Sequence, residues 1–207
     1  MAVAMPRREN LESLSALLVR ARWIAAAAVP AVVALAWAAL SPGTPEPPVN
    51  VWGMADVAGL LVLANLLVII YSRRRLGAGV DPAVIRIRLD MMVRIQVGVD
   101  VVALAMAFNY MGGIESPVAF ASVFQAVAVA RWLGPREGRI AALAMLTGVC
   151  LVAMLEYNDA VHHWHLMSDW RWGVWDEPRY IVSYLGSLAA LLALSVWAGA
   201  GGRRIAP

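Results

Sequence analysis

Residues 52–75 read WGMADVAGLLVLANLLVIIYSRRR, an apolar run over 52–71 that ends against Arg73, Arg74 and Arg75. A helix rises 1.5 Å per residue, so about 20 apolar residues cross the roughly 30 Å hydrocarbon layer of a membrane, and the arginine cluster behind them marks a water-facing end. Outward from this stretch, five more apolar runs recur at 23–40, 95–111, 118–134, 140–157 and 180–199. The expectation is an all-α, polytopic membrane protein with six transmembrane helices, a single domain over 23–207 preceded by a short segment at 1–22. Composition agrees: 61% of the residues are hydrophobic and the mean hydropathy is +0.69, above what a soluble domain of this length carries.

All 17 basic residues are arginine, and six spans place fifteen of them on one side. Arg7, Arg8, Arg20 and Arg22 precede the first run. Arg73, Arg74, Arg75, Arg86, Arg88 and Arg94 lie between the second and third, and Arg131, Arg136 and Arg139 between the fourth and fifth. Arg203 and Arg204 follow the sixth, leaving Arg171 and Arg179 outside. The positive-inside rule then predicts a bacterial inner (cytoplasmic) membrane protein with both termini cytoplasmic. The net charge of +3 reports orientation and contact with membrane lipids rather than nucleic-acid binding.

The first apolar run is longer than the core of a signal peptide, so it reads as a retained span. Ahead of it, Leu11, Leu14, Leu17 and Leu18 recur at helical spacing behind Asn10, a candidate N-cap. They predict an amphipathic helix lying on the cytoplasmic headgroups, or on a partner, before span one. Pro42, Pro45, Pro47 and Pro48 make the first outer loop a stiff connector, and Asp81-Pro82 caps and starts a short helix leading into the third span. Cys150, the one cysteine, excludes an internal disulfide and reads as a small apolar packing residue.

Between the third and fourth runs lies Asn109-Tyr110-Met111-Gly112-Gly113-Ile114-Glu115-Ser116-Pro117. Two glycines allow backbone angles closed to other residues, and Ser116-Pro117 suits a helix start. The stretch is either a tight helical hairpin or a ligand site, in which Tyr110 and Gly112 to Pro117 present amide groups to the polar end of a lipid-soluble molecule. Ionisable groups in hydrocarbon are costly, so Asp100 and Glu156 need partners. Asp100 is read as hydrogen-bonded to a polar residue such as Gln125, as protonated, or as a proton-linked contact to a bound lipid-soluble ligand.

The outer loop from Asn158 to Arg179 carries all three histidines and four of the nine tryptophans. His162, His163 and His165 are weak metal candidates, because His-His-x-His lacks the paired spacing of a defined site. Trp164, Trp170, Trp172 and Trp175 suit headgroup depth, or a docking surface for other integral membrane subunits.

Asp100, the Gly112-Gly113-Ile114-Glu115-Ser116-Pro117 turn, Leu155-Glu156-Tyr157, the histidine-bearing loop and Tyr180-Ile181-Val182 together resemble the six-helix sensor region of membrane histidine kinases of the RegB/PrrB kind. The resemblance covers most of residues 90–200 and implies quinone as a possible ligand at the glycine turn. Ser116 stands where that pattern has asparagine, and Val118 where it has phenylalanine. The eight residues after 199 hold no phosphoacceptor histidine, and no phosphate-binding glycine loop occurs in the sequence. The expectation is a non-catalytic accessory subunit in an energy-converting membrane complex, such as a photosynthetic reaction centre. A redox- or ligand-sensing input protein, or a fragment of a sensor kinase, is the alternative.

Overall fold

The computed structural model describes residues 8–40, 49–75, 80–161 and 177–201. Every regular element among them is helical: α1 (Arg8–Leu40), α2 (Val51–Arg75), α3 (Pro82–Tyr110), α4 (Ala121–Trp132), α5 (Pro135–Tyr157) and α6 (Pro178–Gly201), with two short 3-10 turns, Gly113–Glu115 and Pro117–Phe120, between α3 and α4. Five helices, all except α4, are long and apolar enough to cross a membrane. The chain is a multi-pass membrane protein in which Phe124, Ile70, Met91, Val182 and Trp197 are exposed on helix faces suited to lipid.

The fourth segment departs from the full-length span expected at 118–134. Its apolar helical stretch, Val118–Trp132, is shorter than the five candidate spans. Pro117 and the double glycine fold residues 111–116 back into the bundle, where Ile114 and Ser116 are buried, and Gly134 at φ 128° before Pro135 ends the other side. What remains is 12 α-helical residues, about 18 Å.

The N-terminal segment is also corrected. No break separates an interfacial helix from span one: α1 begins at Arg8, places Asn10 inside the helix, and continues past Pro30 to Leu40. Leu11, Leu14 and Leu18 are buried against Ile85, Leu89 and Val93. The stripe that suited headgroups meets an apolar face of α3, and burying leucine there removes more apolar surface than half-immersion in an interface. The short helix before span three likewise merges with it; Asp81 Oδ1 accepts from Ala83 N at 2.7 Å, the cap that Asp81-Pro82 predicts.

Lipid gives no hydrophobic drive between helices, so close backbone approach does much of the packing. A Cβ on Gly138 would lie 2.6 Å from Ala130 Cβ, and one on Gly199 would lie 2.8 Å from the Val127 carbonyl oxygen. These two glycines of α5 and α6 let α4 nest between those helices. At the other end of the bundle Gly53 faces the Tyr110 ring, and Asn50 N donates to Tyr110 O at 3.0 Å, joining α2 to α3. Arg94 bonds Asp90 within α3 at 2.8 Å and reaches Glu137 of α5 at 3.6 Å.

Candidate functional site

Arg22 lies inside the bundle, 3% exposed, not among the cytoplasmic arginines where the sequence reading puts it. An unpaired charge there is prohibitive, and the neighbouring helices answer it completely. Nε donates to Asp100 Oδ1 at 2.5 Å and Nη2 to Asp100 Oδ2 at 3.0 Å. Nη2 also donates to Gln96 O at 2.8 Å, and Nη1 to Gln96 Oε1 at 3.0 Å and Asn65 Oδ1 at 3.5 Å. A guanidinium has five N–H groups, and five acceptors meet them.

The surrounding side chains are fixed by the same charge. Asn65 and Gln96 turn their oxygens to Arg22, so their amide nitrogens donate elsewhere, to Val19 O at 3.1 Å and Ser15 Oγ at 3.0 Å. Gln125 of α4 donates from Nε2 to Asp100 Oδ2 at 3.3 Å and to Val97 O at 3.4 Å. Four helices thus share one polar knot. Asp100 sits ten residues before the end of α3, about 15 Å along the axis and near the middle of a ~30 Å hydrocarbon layer.

Beside the knot runs a lateral groove of about 580 Å³ between α1 and the α3–α4 pair. That volume falls in the range that holds a small organic ligand. Its wall on α1 extends from Leu17 to Val32, roughly 22 Å, and Phe124 forms part of the α4 side. Apolar side chains line nearly all of it; Arg22, Asp100 and Gln125 supply the polar patch. Met111 and Val118 close the far end.

The glycine turn is placed differently from a groove lining. Gly112 has φ 95° and Gly113 φ 54°, and a Cβ on Gly113 would strike the carboxylate of buried Glu156. Ser116 Oγ accepts from Val118 N at 3.2 Å, and Ser116 O accepts from the Tyr184 hydroxyl at 2.9 Å. The Tyr184 ring stands 5.5 Å from Phe120 and 6.3 Å from Phe108, centroid to centroid. The turn is therefore fastened to α5 and α6, while its flanks, Met111 and Val118, reach the groove. The Tyr110 ring packs over Gly53, and the side chains of Glu115 and Pro117 lie outside the described residues.

His162, His163, His165, Trp164, Trp170, Trp172 and Trp175 also lie outside the described residues. Among the described residues no group of three or more histidine, cysteine or acidic side chains is arranged to hold a metal ion. The sequence reading missed Ser15, Arg22, Asn65 and Gln96 as a polar cluster. A signal was present: Gln96 and Asp100 are one helical turn apart and Ser15 and Arg22 two, so each pair shares a helix face. Comparison with protein-family models, curated protein sequences and solved structures gives no match to this chain.

Proposed function

We propose that this protein is a non-catalytic integral-membrane binding subunit that holds a lipid-soluble molecule in the groove between α1 and α4. The observation that carries the reading is an apolar groove of about 580 Å³ with a polar patch of Arg22, Asp100 and Gln125 in its wall. Ionisable groups within the membrane are costly to place, and those that face a cavity are candidates for a binding role. Quinone, with a long apolar tail and a small polar head, is one molecule of the right shape. In this reading the protein sits in a bacterial inner membrane with cytoplasmic termini, as an accessory subunit of a larger energy-converting assembly such as a photosynthetic reaction centre.

Solvent extraction of the purified protein, followed by mass spectrometry, tests the groove. Wild type should retain a defined lipid-soluble compound near stoichiometric amount, and Ala121→Trp, which fills the groove, should lose it. Equal retention by both, or only bulk membrane lipid in both, would remove the reading.

A second reading, a ligand-sensing input module, is favoured by the bond from Tyr184 to Ser116, because it links the groove's far end to the last helix. Purification in mild detergent separates the two. Stoichiometric recovery with redox subunits supports the accessory role; recovery with a kinase supports sensing.

A further inference from the structure

The hydrogen-bonding inventory of the polar patch is one-sided. Every N–H of Arg22 is engaged by Asp100, Gln96 or Asn65. Both amide hydrogens of Gln125 are engaged by Asp100 Oδ2 and the Val97 carbonyl. That orientation cannot be reversed, since a flipped amide would set its oxygen against a carboxylate and a carbonyl, both acceptors. Donor capacity is exhausted; acceptor capacity is not. Gln125 Oε1 receives no hydrogen bond among the described residues, and Asp100 Oδ1 receives only Arg22 Nε. The charges of Arg22 and Asp100 cancel.

We propose, building on the groove reading above, that the groove selects a neutral lipid-soluble molecule with a hydroxyl group, whose O–H donates to Gln125 Oε1 or Asp100 Oδ1 while its apolar tail lies along α1. A phosphate is rejected, because it brings negative charge to a carboxylate and finds no N–H to receive it. A ketone or oxidised quinone carbonyl is disfavoured on the same count, since it is an acceptor meeting acceptors. An isoprenoid alcohol and a quinol share the required chemistry. Selectivity comes from the direction of the hydrogen bond, and shape alone would not distinguish a quinol from its quinone.

The test uses the full chain in lipid nanodiscs and isothermal titration calorimetry. The probes are farnesol, farnesyl methyl ether, a decyl-tailed benzoquinol, its oxidised quinone and its dimethyl ether. At least one hydroxyl compound should bind about tenfold or more tighter than its ether, the expected effect of a hydrogen bond to a charged or desolvated acceptor. The quinol should exceed the quinone if quinol is the natural class; binding of farnesol with rejection of the quinol assigns an isoprenoid alcohol. Gln125→Met keeps the Arg22–Asp100 pair and should reduce the preference for alcohol over ether; elution as a monodisperse species controls for folding. Equal affinity of alcohol and ether in wild type would overturn the donor rule and leave the groove reading standing. Absence of binding by every probe, or selective retention of phospholipid, would overturn the proposal, and unchanged retention in Ala121→Trp would overturn the groove itself.

Discussion

Arg22 of α1 and Asp100 of α3, 78 residues apart in sequence, meet side-on, with Nε on one carboxylate oxygen and Nη2 on the other. Two parallel bonds fix the planes of both groups, which a lysine at position 22 would not do. Asp100 therefore has a better partner than the Gln125 contact or the protonation weighed from sequence, and the Gln125 bond is added to the ion pair rather than replacing it. The pair decides where α1 sits: moving Arg22 to the membrane surface would pull it off α2 and α3 and leave the acid behind.

Removing one partner of this pair should cost much more than removing both. Arg22→Met leaves Asp100 buried with Gln125 alone, a loss of about 3–5 kcal/mol, whereas Arg22→Met with Asp100→Leu should recover most of it, because a matched apolar pair leaves no charge uncompensated. Unfolding by SDS titration in mixed micelles gives both numbers. A double variant as unstable as the worse single would show that the charges are not coupled in the way described.

Much of the fold was legible because hydropathy and proline position are local signals. The run at 52–71 becomes α2 and the run at 180–199 becomes α6 with small shifts at the ends. The continuity of α1 was not legible, since Leu11, Leu14 and Leu18 look the same whether the other side is headgroup or α3. The short α4 was hidden for a related reason. Val118 to Leu133 is largely apolar, interrupted only by Ser122, Gln125 and Arg131, and the spacing gives no sign that residues 111–116 occupy the depth a longer helix would use. For the candidate site, Asp100 and Gln125 stood out by charge and polarity inside apolar runs. Arg22 did not, because an arginine at the edge of a hydrophobic stretch has the same appearance whether it flanks the span or lies within the bundle.

Gly113 should be far less replaceable than Gly59. At φ 54° an alanine costs about 1–2 kcal/mol from backbone sterics alone, and its Cβ would displace the Glu156 carboxylate besides. Gly59 lies in α2 with nothing within 4 Å of an added Cβ, so Gly59→Ala should be neutral or stabilising by up to about 1 kcal/mol. Thermal unfolding of the two variants side by side isolates the turn from any general intolerance of alanine. Similar midpoints would mean the turn is not held as described.

Gly199 carries the same logic to the α4–α6 contact. Its added Cβ would meet the Val127 carbonyl, a backbone atom that cannot swing aside, as well as Ala130. Gly199→Leu should destabilise by about 1–3 kcal/mol through overpacking, while Gly186→Leu on the same helix, with open space around it, should change stability little. A cysteine pair placed across α4 and α6, in a Cys150→Ala background, should lose oxidative crosslinking in Gly199→Leu only. Retained crosslinking there would mean that α6 tolerates the bulk without parting from α4.

Tyr184 separates packing from hydrogen bonding at the far end of the groove. Its ring rests against Phe120 and Phe108, and its hydroxyl donates to Ser116 O at 2.9 Å. Tyr184→Phe keeps the ring and deletes the bond, so stability should fall by only about 0.5–1.5 kcal/mol. Tyr184→Ala leaves a void among aromatics and should cost about 3–5 kcal/mol. Because Val118, two residues after Ser116, lines the groove, loosening the turn should also alter ligand retention. Measuring both quantities in Tyr184→Phe distinguishes the roles: reduced retention at nearly native stability places this bond in the path from groove to α6, whereas unchanged retention confines it to packing.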